Sequence, residues 1–470
     1  MPRQCEREGC RRAAIRATKA FDALNTIPAP SPKAASLDTT DIGFAAIDFG
    51  TSNSAIALPR GVRGVRLVEL ETGHRTMPTA VFYRADGTDA LAEPERLYGR
   101  AAVAAYVEGM DGRLMRSMKS ILGSQLVEQS TDVGGGRAVR YVDVIAGYLR
   151  QLKHRAEQAA GAPLERVVLG RPVFFVDDEP ARDALAQQAL EAAARGVGFK
   201  EVHFQYEPIA AALDHESGIE HEQLVLVADI GGGTSDFSLV RVGPQRRGRV
   251  DRRDDILANH GVHVAGTDFD RRLELAAILP AMGYRSLGPA KGAEAAREVP
   301  SAVYFDLATW HLINTVYAPQ RVAELRRMKS WYADARHHQR LMQVLELHLG
   351  HALAAAAEQA KIEVAVTGSA RIDLALVEAL LTADVSETQA AAALEADLLR
   401  IVDAARQTVR QAGVGAEQVD VLYFTGGSTG LTPLVKRIAQ NFPRAQHVRG
   451  DRFASVAQGL GLHARTVFGA

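Results

Sequence analysis

Cysteine is almost missing from this chain: its 470 residues hold two, Cys5 and Cys10, both within the first ten. Two cysteines cannot staple a chain of that length, nor fill a four-ligand zinc site by themselves. Long apolar runs are missing too. No window approaches about 18 uninterrupted apolar residues, which excludes a membrane-spanning helix and argues against a membrane partner. Neither sign of charge dominates: 55 Lys+Arg stand against 56 Asp+Glu, a formal net charge of -1. A dedicated nucleic-acid binder would carry a strong basic excess, so nucleic acid is not an expected partner. There is no Gly-x-x-x-x-Gly-Lys-Ser/Thr loop, so the P-loop kind of phosphate site is excluded. Gly459-Leu-Gly461 lacks the third glycine and the preceding strand of a dinucleotide fingerprint. His215, His221 and the Trp331–His338 stretch have no metal-ligand spacing and read as solvated or capping histidines.

What remains is a globular composition, 47% apolar and 24% charged, long enough for two to four domains at roughly 100–200 residues each. The expectation is a soluble, cytoplasmic, multidomain protein. Residues 1–40 stand apart. Seven Lys/Arg against three acids give Met1–Ser36 a net charge of +4, and Pro28, Pro30 and Pro32 favour extended chain. Without an apolar core segment this is no secretory signal. It reads as a flexible extension, with a transit peptide as the other reading.

From Phe44 onward, apolar strands alternate with helices. Phe44–Ile47, Val167–Leu169, Leu224–Ala228 and Val421–Phe424 read as buried strands of an α/β sheet. Val144, Ile145, Tyr148, Leu149 and Leu152 recur at helical spacing before Gly161, a natural stop. Ser386 and Gln389 form a capping box ahead of a helix that stops near Gly413. The spacing of Leu341, Val344, Leu345 and His348 predicts one further helix over 340–363.

Two segments follow one plan. Ala46-Ile-Asp-Phe-Gly-Thr-Ser-Asn-Ser54 and Val227-Ala-Asp-Ile-Gly-Gly-Gly-Thr-Ser-Asp236 each run from an apolar strand into an Asp, a small hydroxyl-bearing turn and a second apolar strand. The two aspartates, Asp48 and Asp229, are 181 residues apart. Glycines let the backbone approach an anion closely, and successive N–H groups in such a turn form a concave anion site. A carboxylate beside phosphate calls for a cation between them, and Mg²⁺ fits because it binds through one or two carboxylates, waters and phosphate oxygens. One such turn alone is often only a tight turn. The matched pair implies two lobes gripping a polyphosphate. Val421-Leu-Tyr-Phe-Thr-Gly-Gly-Ser-Thr-Gly430 adds a strand entering a Gly-Gly turn, where Thr432 makes an N-cap and Pro433 the first helical residue. Open backbone at Gly426 and Gly427 would let a base or sugar lie against it, although an ordinary strand-to-helix turn reads the same way.

These residues carry a resemblance. Asp48-Phe-Gly-Thr-Ser52 and Asp229-Ile-Gly-Gly-Gly-Thr-Ser-Asp236 resemble the two phosphate motifs of the actin-like ATPase superfamily, and Phe424-Thr-Gly-Gly-Ser-Thr429 resembles its adenosine motif. Tyr206-Glu-Pro-Ile-Ala-Ala-Ala212 is similar to the Asn-Glu-Pro-Thr-Ala-Ala-Ala segment of DnaK-type (seventy-kilodalton) heat-shock chaperones. Gly266-Thr-Asp-Phe-Asp270 resembles their Gly-Gly-x-Asp-Phe-Asp, and the motifs keep the family order from about Gly43 to Gly461. Gly170-Arg-Pro-Val-Phe resembles the short, chaperone-like members of the YegD kind.

The resemblance implies an α/β, actin-like ATPase fold: two lobes, each with a mixed sheet of the ribonuclease H-like type, and a nucleotide cleft between them. Lobe I would take 41–222 with a small insert at about 74–135, and lobe II 223–470 with an insert at about 267–385. It implies ATP/ADP and Mg²⁺ as ligands. Asp48 and Asp229 would hold the water shell of Mg²⁺. Gly50, Thr51, Ser52, Asn53, Gly231, Gly232, Gly233 and Thr234 would line the phosphates, with Thr234 and Asp229 in the catalytic set. Lys119, in Met118-Lys-Ser-Ile-Leu-Gly123, would reach the γ-phosphate; a solvated lysine is the other reading. Glu207 would position the attacking water and couple the lobes, with Asp236 nearby. Gly426, Gly427 and Ser428 would face the adenosine. Glu358 and Lys361 would bond the ribose, or else form an i,i+3 surface ion pair.

Three departures limit the transfer. The family has arginines where this chain has Ile362 and Gly430, which removes the cationic stack on adenine. Residues 271–350 are hard to match and hold an aromatic cluster (Tyr304, Phe305, Trp310, Tyr317, Trp331, Tyr332), either core or partner surface. The chain ends at Ala470 just past the ATPase motifs, so no C-terminal peptide-binding domain is expected. The leading expectation is a slowly ATP-hydrolysing, chaperone-like switch with a protein client or co-chaperone. A sugar-type kinase on the same superfold and a non-hydrolysing nucleotide-binding scaffold are the alternatives.

Overall fold

The structure, a computed structural model, describes residues 43–469 apart from 62–63, 86–94, 123, 125–126, 128, 135, 177–178, 291–295 and 452–453. The extension expected over residues 1–40, with its two cysteines, lies outside the described residues.

Ten strands position the site. The first five are β1 (Phe44–Phe49), β2 (Asn53–Arg60), β3 (Gly64–Leu67), β4 (Arg166–Arg171) and β5 (Glu201–Tyr206). They form a mixed sheet in the order β3-β2-β1-β4-β5, with the short strand Thr76–Pro78 also pairing β2. The next five are β6 (Gln223–Ile230), β7 (Ser235–Val242), β8 (Ile256–Val262), β9 (Val421–Thr425) and β10 (Gln446–Arg449), in the order β8-β7-β6-β9-β10. The two sheets share one topology. In each, three strands meander antiparallel and two more join parallel to the first strand. The expected α/β class with mixed sheets is therefore what the chain adopts, and each hairpin lies at the centre of its sheet.

The burial pattern explains why. β1 and β9 are buried along almost their whole length, as strands covered on both faces must be. Helix Tyr141–Ala160 packs Val144, Ile145, Tyr148, Leu149 and Leu152 into the core of the first sheet and ends at Gly161, whose φ of 72° supplies the left-handed cap. A separate apolar layer joins the two sheets. Ala46, Ala57 and Val168 of the first meet Val225, Val227 and Val240 of the second through helices Glu207–Gly218 and Ser455–Phe468. Where these helices cross, a Cβ on Gly459 would stand 1.8 Å from Ala210 O, so the crossing requires glycine.

The described residues form two compact units. Val264–Ile401 and Gly430–Lys436 make one, and both mixed sheets belong to the other. The first has its own core, from Leu273 and Ile278 through Tyr304, Leu341 and Leu345 to Leu353 and Ile372. The capping box forms as expected: Gln389 N–H donates to Ser386 Oγ at 3.3 Å and Ser386 N–H to Gln389 Oε1 at 2.9 Å. The single helix expected over 340–363 does not form. The chain makes Ala335–Glu346, breaks at Leu347–Leu349 and restarts as Gly350–Thr367. His348 takes φ 55° at the break, its ring stacked 4.1 Å from Tyr317, while the Tyr317 hydroxyl accepts from Gly350 N–H at 2.8 Å. A partner 31 positions away in sequence overrides the helical period. The aromatic cluster divides: Tyr304 and Tyr332 are buried and joined hydroxyl to hydroxyl at 2.9 Å, whereas Trp331 and Phe305 are exposed.

Candidate functional site

Asp48 sits at the end of β1 opposite Ala55, and Asp229 at the end of β6 opposite Asp236. The ends of the two central strands meet electrostatically. Burial first, then Glu207, pushes the Asp48 carboxyl up to about 8, with Lys119 opposing and Asp229 adding to the rise. Burial first, then Asp236 and Glu207, pushes Asp229 up to about 7, with Lys119 again opposing. Asp236 is raised in the same way, although Thr234 holds its charged form with a hydrogen bond. Burial would lower the Lys119 ammonium, but Glu207, Asp48 and Asp229 outweigh it and raise it instead.

Lys119 comes from a short turn, Met118–Ile121, and is only 7% exposed. It is no solvated lysine: its Nζ pairs with Glu207 Oε1. Glu207 opens helix Glu207–Gly218 directly after β5, with Pro208 in the first turn. Four sequence-chosen residues from four separate segments thus converge: Asp48, Lys119, Glu207 and Asp229.

The two turns beside them are braced differently. In the first, a Cβ on Gly50 would lie 2.2 Å from Asn53 O, so only glycine fits. Thr79 holds that turn, its hydroxyl donating to Gly50 O at 2.7 Å and lying 2.9 Å from Ser54 Oγ. Asn53 begins β2 and is exposed, and Thr51 and Ser52 form the turn itself. In the second turn, Gly231 N–H donates to Thr234 O at 2.9 Å, with Gly232 and Gly233 between them. The Gly426-Gly427-Ser428 motif lies on this turn. Asp229 pairs with Thr425 in the parallel register, and Ser428 Oγ donates to Gly231 O at 2.7 Å. Gly426 has φ 87°, and a Cβ there would meet Ile230 O at 2.4 Å and Asp229 Oδ1 at 2.6 Å. The following helix starts at Thr432, one residue before the expected Pro433.

Glu358 and Lys361 belong to the other compact unit. They do not pair with each other. Lys361 Nζ lies 2.7 Å from Asp270 Oδ1 and 3.5 Å from Gly266 O, which ties helix Gly350–Thr367 to the Gly266-Thr-Asp-Phe-Asp270 segment. Burial first raises Asp270 to about 6, Lys361 opposing and Glu358 adding. Ile362 is exposed on the same helix.

Sequence reasoning missed Thr79, whose only signal was a hydroxyl directly after the short strand Thr76–Pro78, whose register with β2 is not visible beforehand. It also missed the pairing of Asp270 with Lys361, which joins positions 91 apart.

Three acidic side chains around one lysine leave surplus negative charge, the setting in which a divalent cation displaces protons from carboxylates. No group of three or more His, Cys, Asp or Glu side chains converges to hold a metal directly among the described residues. That donor set fits Mg²⁺ held through one or two carboxylates and its own waters. No helix of the described residues is long and apolar enough to cross a membrane.

Residues 44–277 match the protein family described as Hsp70 protein. Among similar curated proteins is a chaperone protein HscA homolog from Azoarcus sp., 25% identical over 447 residues, covering 90% of this chain and 58% of the relative. A second, from Aromatoleum aromaticum, is 25% identical over 440 residues with the same coverage of each chain. The chain thus spans 58% of the length of these curated relatives.

Proposed function

Because the chain belongs to the Hsp70 family of actin-like ATPases, we propose that it is a chaperone-like cytoplasmic protein that binds ATP/ADP with Mg²⁺ and hydrolyses ATP slowly. The observation that carries this reading is the convergence of Asp48, Lys119, Glu207 and Asp229 between two turns of open backbone.

Phosphoryl transfer needs alignment and charge neutralisation more than covalent chemistry. Backbone N–H groups of Gly50–Ser52 and Gly232–Thr234 would bind phosphate oxygens. Lys119, kept charged by Glu207, meets charge developing on the γ-phosphate. Glu207 would orient the attacking water, and Asp48 and Asp229 would hold the hydrated cation. Mg²⁺, when bound, neutralises the phosphate charge. Gly426–Ser428 would take the adenosine end. Each sheet would found one lobe, over 41–222 and 223–470, and nucleotide state would open and close them to signal to a protein client or co-chaperone.

The test is single-turnover hydrolysis of ATP with Mg²⁺, alongside calorimetric nucleotide binding. Lys119→Met is expected to slow hydrolysis by about 10²–10³-fold, the loss seen when one pre-organised charge donor is removed, and Asp229→Asn to weaken Mg²⁺-dependent binding. Tight binding with no turnover above these variants would replace the switch by a scaffold. No ATP binding at all would sink the nucleotide reading.

A further inference from the structure

Two motifs meet beside Glu207: Arg171 of the Gly170-Arg-Pro-Val-Phe segment clamps Tyr206, the residue before Glu207. Glu207 follows Tyr206, the last residue of β5, which pairs in parallel register with Arg171 at the end of β4. Arg171 is a buried arginine, 6% exposed. Its Nη2 lies 2.8 Å and 3.0 Å from the two Asp183 carboxylate oxygens and donates to Val173 O at 3.1 Å. Its Nε donates to Pro172 O at 3.0 Å, and Nη1 donates to Gln187 Oε1. So held, the guanidinium lies over the Tyr206 ring, 5.1 Å from its centroid, and 5.2 Å from that of Phe175. A planar guanidinium suits such a face better than an ammonium would. The Tyr206 hydroxyl in turn accepts from Arg253 Nε at 3.1 Å.

The neighbouring residue completes the arrangement. A Cβ on Gly170 would stand 3.3 Å from Glu207 Cγ and 3.4 Å from its Oε1, so Glu207 lies directly over Gly170. β4 therefore acts on Glu207 twice: Gly170 leaves room for the side chain, and Arg171 fixes the backbone position from which it projects. At the far end of the same helix, Glu216 accepts from Arg252 at 2.9 Å and 3.0 Å. The consecutive arginines Arg252 and Arg253 thus touch both ends of the helix that begins with Glu207.

We infer that Arg171, acting through the ring of Tyr206, is the positioning residue for Glu207. This deepens the ATPase reading and rests on it. A misplacement of about 1 Å by a group remote from the chemistry can cost about 10²-fold. The clamp touches neither turn that would bind phosphate, so its loss separates rate from binding.

The experiment compares single-turnover MgATP hydrolysis and calorimetric MgATP affinity of the full chain in wild type, Arg171→Met, Tyr206→Ala and Tyr206→Phe. Arg171→Met and Tyr206→Ala are expected to slow hydrolysis by about 10- to 100-fold with affinity within about threefold. Tyr206→Phe keeps the ring beneath Arg171 and is expected to stay within about threefold of the wild-type rate. If Arg171→Met does not fold, Arg171→Lys, which keeps the charge without the planar face, replaces it and should show the same loss. A wild-type rate in the folded Arg171 variant overturns the inference, as does a parallel fall of rate and affinity, which would mark a structural role. Wild-type protein with no turnover above Asp229→Asn overturns the inference together with the ATPase reading itself.

Discussion

The two mixed sheets repeat one topology, yet the hairpins at their centres are furnished differently. Asp48 faces Ala55 across its hairpin, a neutral neighbour, and its turn is braced by one buried threonine 29 residues after Gly50. Asp229 faces Asp236, a second acid, and its turn is braced by a glycine-serine motif almost 200 residues later. A like-charged pair directly across a hairpin is unfavourable unless something compensates it. Thr234 compensates part, through its hydrogen bond to Asp236. The first hairpin is thus a local construction, and the second a long-range one whose carboxylate, turn and glycine motif must all be in register. One strand order supports two solutions to the same problem, holding a carboxylate beside a turn of open backbone.

Gly426→Ala is expected to break this comparison most severely. Its Cβ would stand 2.4 Å from Ile230 O and 2.6 Å from Asp229 Oδ1 at a φ of 87° that side chains disfavour. Strain of about 1–3 kcal/mol, with overpacking of similar size, should appear as a lower denaturant midpoint. Nucleotide affinity should fall with it, because the substitution pushes on Asp229 itself. An alanine variant with unchanged midpoint and affinity would show that the long-range brace is dispensable.

Thr79→Val tests the local brace and should cost less. It removes the hydroxyl that donates to Gly50 O and meets Ser54, at almost constant shape. An unsatisfied buried group costs about 1–3 kcal/mol, and two are left here, so a loss of about 2 kcal/mol in urea unfolding is expected with Lys119 and Glu207 undisturbed. Equal losses from both substitutions would mean that the two hairpins are anchored alike after all.

The hairpins could be read from the sequence because their chemistry is local: an Asp, two or three small residues and a hydroxyl within seven positions. The strands and the Ser386–Gln389 capping box could be read for the same reason. Pairings between distant segments could not. Helical spacing through Leu341, Val344 and Leu345 carried no sign that Tyr317 would stack on His348 and stop the helix. Lys361 looked ready to pair with Glu358 one turn away, but Asp270 lies closer in space. Buried arginines such as Arg171 look like surface residues until their carboxylate partner is known, here Asp183.

A further expected effect concerns pH. Asp48 and Asp229 rise from 3.8 to about 8 and about 7, so both bind their protons more tightly folded than unfolded. A carboxyl raised in this way contributes stability that is fully present below its unfolded value and is lost as pH rises through its folded value. Lys119 is raised as well, but it stays charged in both states over this range and adds no slope below about pH 10. The protein freed of divalent cations by EDTA should therefore melt at progressively lower temperature from about pH 4 to about pH 8. Asp48→Asn should flatten the curve up to about pH 8, its folded value, Glu207 being its leading charged opponent. Asp229→Asn should flatten it only up to about pH 7, Asp236 opposing it across the hairpin. Curves flattened in the same place by both substitutions would show that the two hairpins titrate as one site, and the distinction between them would then be geometric rather than electrostatic.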